Sequence, residues 1–265
     1  MTDWMALLFP AWGQRKWFYD ILLKQNPRPL LALAPGIAYY RVRQLDGSVS
    51  RWCASVLVVR PEQITLHPLT REMQEQEQVP LPALRWFGRP HKYHDGKNDI
   101  WLHVEQDERW QVYEIRTPRH YMHKFVRALK QIAHEDMVTA YRRMRPYVHL
   151  GPLAAHPAVQ DIYGAWQLSD ALQLYIMPLY LVILQDMRVL RVVPLHEISD
   201  ITPLRRLDAP QADGLVRFRA AQETMSFVLE HYQRFAENLA QAARCALEVP
   251  PQRKQKSAED DEEWD

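Results

Sequence analysis

A chain of 265 residues with 33 Lys+Arg against 32 Asp+Glu, 47% hydrophobic residues, 19 Pro, 8 Gly and 2 Cys has room for one large or two small domains at roughly 100–150 residues each. Its net charge of +1 gives no whole-chain electrostatic reason to expect DNA or RNA, and two distant cysteines, Cys53 and Cys245, exclude a disulfide framework and suit a reducing, cytoplasmic setting. No apolar run reaches the roughly 18–20 residues that span a bilayer, the first residues lack the basic-then-apolar order of a secretory signal, and no phosphate-loop or dinucleotide fingerprint is present.

Residues 1–36 form an aromatic-rich extension. Trp4, Phe9, Trp12, Trp17 and Phe18 either pack on their own domain or lie in a membrane interface, and Pro10, Pro27, Pro29 and Pro35 interrupt any continuous amphipathic helix. The pattern then predicts strands Ile37–Gln44 and Arg51–Arg60 around Asp46-Gly47, a turn whose central residues tolerate positive φ. Further strands are expected at Gln63–His67, Val79–Phe87, Ile100–Glu105 and Trp110–Ile115, short and rich in β-branched and aromatic residues. After Thr117 and Pro118 the period changes to helical, with Met122, Phe125, Val126, Leu129, Ile132 and Ala133 on one stripe, and predicts one long helix from Pro118 to about Arg145. Residues 146–162 read as a Pro-containing connector. Strands follow near Leu172–Met177, Tyr180–Gln185, Arg188–Val193, Glu197–Ile201, Leu215–Ala220 and Met225–Leu229, then a helix from Glu230 to about Glu248 before Pro250-Pro251.

The order of elements occurs twice. Val79-Pro80-Leu81 aligns with Val193-Pro194-Leu195 at an offset of 114, and the same offset pairs Trp101 with Leu215, Tyr113 with Phe227 and Phe125 with Leu239. Upstream, Val56–Val59 matches Leu181–Leu184 at an offset of 125, which assigns 11 additional residues of the first copy to the polar, acidic insertion Pro68–Gln78. Such strands bury one face only if the sheet curls and a helix covers its open end. The fold class is therefore α+β: two tandem curled antiparallel sheets, or split barrels, each capped by a C-terminal helix.

The sequence Val-Pro-Leu-His-Glu-Ile-Ser-Asp-Ile at 193–201, the hairpin Leu215–Leu229 and the single helix after it resemble the bacterial pleckstrin-homology-like domains. The first copy departs from that pattern, with Pro82 in the second position of the Pro-Leu-x-x-Ile step and Leu84 in place of its isoleucine. The resemblance implies two PH-like domains, residues 37–145 and 163–248, and a non-catalytic scaffold that binds lipid headgroups, peptides or other domains. In that family headgroup-binding basic residues often come from the loop joining the first two strands; here that loop is Leu45-Asp46-Gly47-Ser48.

Several groups of residues are candidate sites. His91, His94 and His103, with Asp95 and Asp99, could hold a metal, but interleaved Lys92 and Lys97 favour a polar turn. Cys53 and Cys245 read as buried hydrophobes and Asp107-Glu108 as a solvated hairpin tip, so no nucleophile–base pair is apparent and no enzyme, metal or cofactor is expected. On the first helix Arg119, His123, Lys124, Arg127 and Lys130 lie opposite the apolar stripe, with Arg142, Arg143 and Arg145 beyond, forming either a solvated face or an anionic-partner face. Residues 249–265 are too polar to fold alone and read as a disordered acidic tail. Six acids lie within its last seven residues, and Trp264 among Asp261, Glu262 and Glu263 is either a docking motif or part of a solubilising terminus. Residues 1–150 carry a net +7 and 151–265 a net −6, so the tail also has an opposite charge within its own chain.

The favoured reading is a cytoplasmic, non-enzymatic interaction module for a protein or peptide partner. The alternative is a peripheral binder of membrane or anionic lipid through the aromatic N-terminus and the basic helix. Nucleic acid ranks third, because aromatic and basic residues are not interleaved on one identifiable sheet surface in this reading.

Overall fold

The computed structural model of the chain describes residues 19–24, 27–69, 77–88, 99–135, 137–138, 150–205 and 213–247. Most of these are antiparallel strand, with few helices, in an α+β arrangement of two sheets that matches two domains. The first sheet comprises β1 (Leu31–Gln44), β2 (Cys53–Val59), β3 (Gln63–Pro68), β4 (Glu77–Pro80), β5 (Leu84–Gly88), β6 (Asp99–Gln106) and β7 (Arg109–Arg116) in the order β4-β3-β2-β1-β7-β6-β5. The sheet does not close. Among the described residues its edge strands are β4 and β5, joined by the 3-10 turn Leu81–Ala83. The helix α1 (Arg119–Ile132) inserts Met122, Phe125, Val126 and Leu129 into the core formed by Leu57, Ile64, Phe87, Leu102 and Ile115.

Strand β1 begins six residues earlier than its alternation indicates, because Pro35-Gly36 sits in a bulge and does not end the strand. The register slips between Leu33 and Ala38, and Gly36 has φ of 80°, a conformation in which a side chain is strained. On either side of the bulge, residues 31–33 and 38–40 pair with β2, and residues 39–44 also pair with β7.

The second sheet comprises β8 (Leu150–Gln160), β9 (Trp166–Leu168), β10 (Leu172–Met177), β11 (Tyr180–Gln185), β12 (Arg188–Pro194), β13 (Ile198–Arg205), β14 (Asp213–Ala220) and β15 (Glu223–Glu230). Its order is β12-β11-β10-β8-β15-β14-β13, with β9 as a further partner of β8. Helix α2 (Tyr232–Leu247) covers it through Phe235, Leu239, Ala242, Ala243 and Ala246. The stretch read as a connector, 146–162, therefore contains β8, which pairs with both β10 and β15. Pro152 and Pro157 obscured it: proline reads as a strand breaker, yet Pro157 stands in register with Phe227.

The offset of 114 holds between β6 and β14, between β7 and β15, and between the two 3-10 turns. The offset of 125 is corrected by the topology. It aligned β2 with β11, whereas β2 occupies the place of β10 and β3 the place of β11. Fully buried strands carry the same Val/Leu/Ile run, so composition alone cannot distinguish neighbours. The helix predicted to reach Arg145 ends at Ile132. Ala133 is extended, and a new turn opens at His134, whose carbonyl accepts from Met137 and Val138 N–H and which brings buried Met137 to the same core.

The two units touch through hairpin tips. Leu45, from the β1–β2 turn, and Trp110, at the start of β7, pack against Tyr175, Met177, Val182 and Leu184 on the outer face of β10 and β11. The Tyr175 hydroxyl donates to the Leu45 carbonyl at 2.8 Å, and Val189 N–H donates to the Glu108 carbonyl at 2.7 Å. The Asp107-Glu108 tip is exposed, as expected of a solvated hairpin tip, and only its backbone reaches the second unit, through the Glu108 carbonyl; both residues have positive φ. No helix among the described residues is long and apolar enough to cross a membrane.

Candidate interaction surface

Alternation along β1 sends Ala38 and Tyr40 to the core and Tyr39, Arg41 and Arg43 to the outer face. The register sets Arg41 opposite Glu114 and Tyr39 opposite Arg116 on β7, and then Trp101 opposite Glu114 and Asp99 opposite Arg116 on β6. Glu114 is 1% exposed. Its two carboxylate oxygens each accept one Nε–H, from Arg41 and from Arg43, both at 2.6 Å. Each arginine is 28% exposed, and among the described residues no side chain accepts from its terminal nitrogens. One buried acid therefore aligns two guanidinium groups, in a form suited to accepting a further carboxylate or other oxyanion.

Indole rings flank this fork. The guanidinium carbons of Arg41 and Arg116 lie 4.6 and 4.3 Å from the centre of Trp52, and that of Arg43 lies 5.9 Å from Trp101. Arg116 is fixed by Asp99 through two hydrogen bonds, at 2.8 and 2.9 Å. Basic and aromatic side chains are thus interleaved on one sheet surface, contrary to the reading of the sequence. The signal was present as a period of two: Tyr39, Arg41, Arg43 on one strand, Asp99, Trp101, His103 on a second and Glu114, Arg116 on a third.

Among the described residues there is no group of three or more His, Cys, Asp or Glu that could hold a metal ion. Asp99 holds Arg116, and His103 is 1% exposed and ringed by Trp86, Trp110 and Trp101 at 5.0, 6.1 and 6.4 Å between ring centres. His91, His94 and Asp95 lie outside the described residues, as do Arg142, Arg143, Arg145 and the tail residues Asp261, Glu262, Glu263 and Trp264. On α1, Arg119, His123, Lys124 and Arg127 are exposed and Lys130 is half-buried. No acid occupies the first turn of that helix, so Arg119 and His120 stand at the end where the backbone dipole is already positive. The described part of the N-terminal extension packs on its own domain: Leu22 is buried against Val56 and Val58 on the outer face of β2, and the Tyr19 hydroxyl donates to the Ala32 carbonyl.

An opening of about 370 Å³ lies at one end of the first sheet, between Tyr40, Cys53, Glu77 and Gln111. The Tyr113 hydroxyl donates to Glu77 Oε2 at 3.0 Å, and burial raises the phenols of Tyr40 and Tyr113 above their ordinary range. Both phenols stay protonated at neutral pH. Burial likewise raises the Cys53 thiol, so its thiolate is scarce and its reactivity low.

The hairpin β8–β9 ends in Asp161-Ile162-Tyr163-Gly164-Ala165, with Ile162 90% and Tyr163 88% exposed. Asp161 Oδ1 accepts from Tyr163 N–H at 2.9 Å and from Ala165 N–H at 2.8 Å, so the turn is held in place while its two large apolar side chains remain in solvent. Val159 and Leu168 extend the apolar surface below the tip.

In comparison with known proteins, no family model matches this chain and no curated protein matches it.

Proposed function

We propose that the protein is a non-catalytic interaction module, built from two PH-like units, that binds an acidic peptide segment of a protein partner. The strand order, in which the first strand pairs with the last, and the helix that closes each core support the PH-like reading. The single observation that carries the function is the fork of Arg41 and Arg43 on buried Glu114 beside Trp52 and Trp101. Two aligned guanidinium groups suit carboxylates, and the flanking rings suit an apolar or aromatic neighbour in the same segment. The chain's own Glu259–Asp265, six acids around Trp264, has that chemistry and is the natural first probe. The lipid alternative draws less support, since the described N-terminal residues are engaged by β2.

The test is a titration of the chain ending at Pro251 with a peptide of residues 257–265, followed by indole fluorescence at two salt concentrations. Saturable binding that weakens with salt, and falls at least about tenfold in the R41Q/R43Q variant, supports the reading. Equal binding by that variant, or none by the unaltered chain to any acidic peptide, removes the fork from the function.

A further inference from the structure

Each unit offers an outer sheet face and, at one end, a pair of hairpin tips. In the first unit the outer face of β2 is covered by residues 19–24, with Leu22 seated on Val56 and Val58. The tips of that unit, at Leu45 and Glu108, cover the corresponding outer face of the second, on β10 and β11. Among the described residues, three of the four surfaces are therefore occupied within the chain. The fourth is the end of the second unit, where the β8–β9 hairpin stands in the place of the β1–β2 turn and carries exposed Ile162 and Tyr163.

We propose that this hairpin tip docks on the outer β2 face of a second copy of the chain, after residues 19–24 of that copy withdraw. The contact repeats the one already made inside the chain: an apolar tip on the outer face of the strand that follows the first. It is a head-to-tail contact, and residues 19–24 act on it as the cap of a repeat array does, covering a face that otherwise recruits the next unit. Charge favours this occupant. The only charged residues between 150 and 172 are Asp161 and Asp170, whereas residues 1–150 carry a net +7 and Arg28 lies just beyond the cap. The same acids disfavour an anionic bilayer as the alternative resting place of the tip. The cap is shallow. Leu22 is its buried residue, and its neighbours Ile21 and Leu23 are 37% and 38% exposed. This inference concerns a different surface from the arginine fork and stands or falls separately from it.

The experiment is sedimentation equilibrium on the full chain and on three full-length variants: I162D/Y163D, L22D, and the combination. Circular dichroism checks that each is folded, and L22A replaces L22D should the latter lose its fold. The expected result is self-association that strengthens at least about tenfold when Leu22 is replaced, weakens with salt, and disappears whenever Ile162 and Tyr163 carry charges. A folded Leu22 variant that stays monomeric overturns the proposal, and so does one that associates equally well without the apolar tip. Wild-type chain that binds neutral phosphatidylcholine vesicles through Ile162 and Tyr163, with the Leu22 variant monomeric, assigns the tip to lipid and overturns it too.

Discussion

Glu114 is the residue whose chemistry reaches furthest. It is buried with two guanidinium partners that remain in contact with water, so the pair is neither a surface ion pair of small value nor a fully desolvated one. Replacing it by Gln keeps the shape and removes the charge, leaving Arg41 and Arg43 to repel each other. E114Q is expected to lower stability by about 2–4 kcal/mol in urea unfolding, and E105Q, which loses the more exposed partner of Arg85, by no more than about 1 kcal/mol. His67 gives a pH dependence of defined sign. It is buried beside Arg60, and burial first and that charge second lower its pKa from 6.5 to about 4. The unfolded chain therefore takes up this proton before the folded one does. The contribution is fully present above pH 6.5 and is lost as pH falls toward 4, by up to about 3 kcal/mol. Stability of the wild type measured from pH 7.5 to 4 should fall more steeply than that of H67Q, which has no such proton to gain; parallel curves would exclude His67 as the source.

At the scale of elements, the two helices are held by close approach to particular strands. In β14 a Cβ added to Gly214 would lie 2.4 Å from the Tyr232 ring at the start of α2, so the absence of a side chain there sets how near the helix begins to the sheet. G214A is expected to cost about 1–3 kcal/mol, and the same substitution in a Y232A background much less, a coupling that a double-mutant cycle measured by thermal unfolding reads directly. The elements that could be read from sequence are those whose period is uninterrupted. Strands β10 and β11 start and end where alternation and turn residues indicate, and α2 lies within its predicted span, because one buried face imposes one period. Strand β8 and the first six residues of β1 were hidden by Gly151, Pro152, Pro157, Pro35 and Gly36, since a bulge and an isolated proline in register look like loop when the partner strand is unknown. The arginine fork was hidden for a related reason. Its members come from β1 and β7, some 70 positions apart, and only the register brings Arg41 opposite Glu114.

For the whole molecule, the contact between units decides whether it unfolds in one step or two. The contact is apolar, with Leu45, Trp110, Tyr175, Met177, Val182 and Leu184 at its centre and one buried hydrogen bond, from Tyr175 to the Leu45 carbonyl. A cleft of about 270 Å³ beside it is bordered by Asp46, Arg109, Asp186 and Arg188. A contact of this character couples the stabilities of two domains, because unfolding either one exposes the face that the other covers. V182D puts an unpaired carboxylate into that face. The core of the second unit is left intact by it, since Leu181 and Ile183 point to the opposite side of β11 and belong to a separate cluster. The expected outcome is a change from one calorimetric transition to two, with a larger radius of gyration in solution scattering as the units separate. Y175F removes only the hydrogen bond, at about 1 kcal/mol, and should lower the coupling while keeping a single transition. Two transitions in the unaltered chain would mean that the hairpin tips of the first unit rest on the second without stabilising it. The geometry argues for the coupled case, because Trp110 is 2% exposed and owes that burial to both units: His103 borders its ring on one side and Tyr180 on the other.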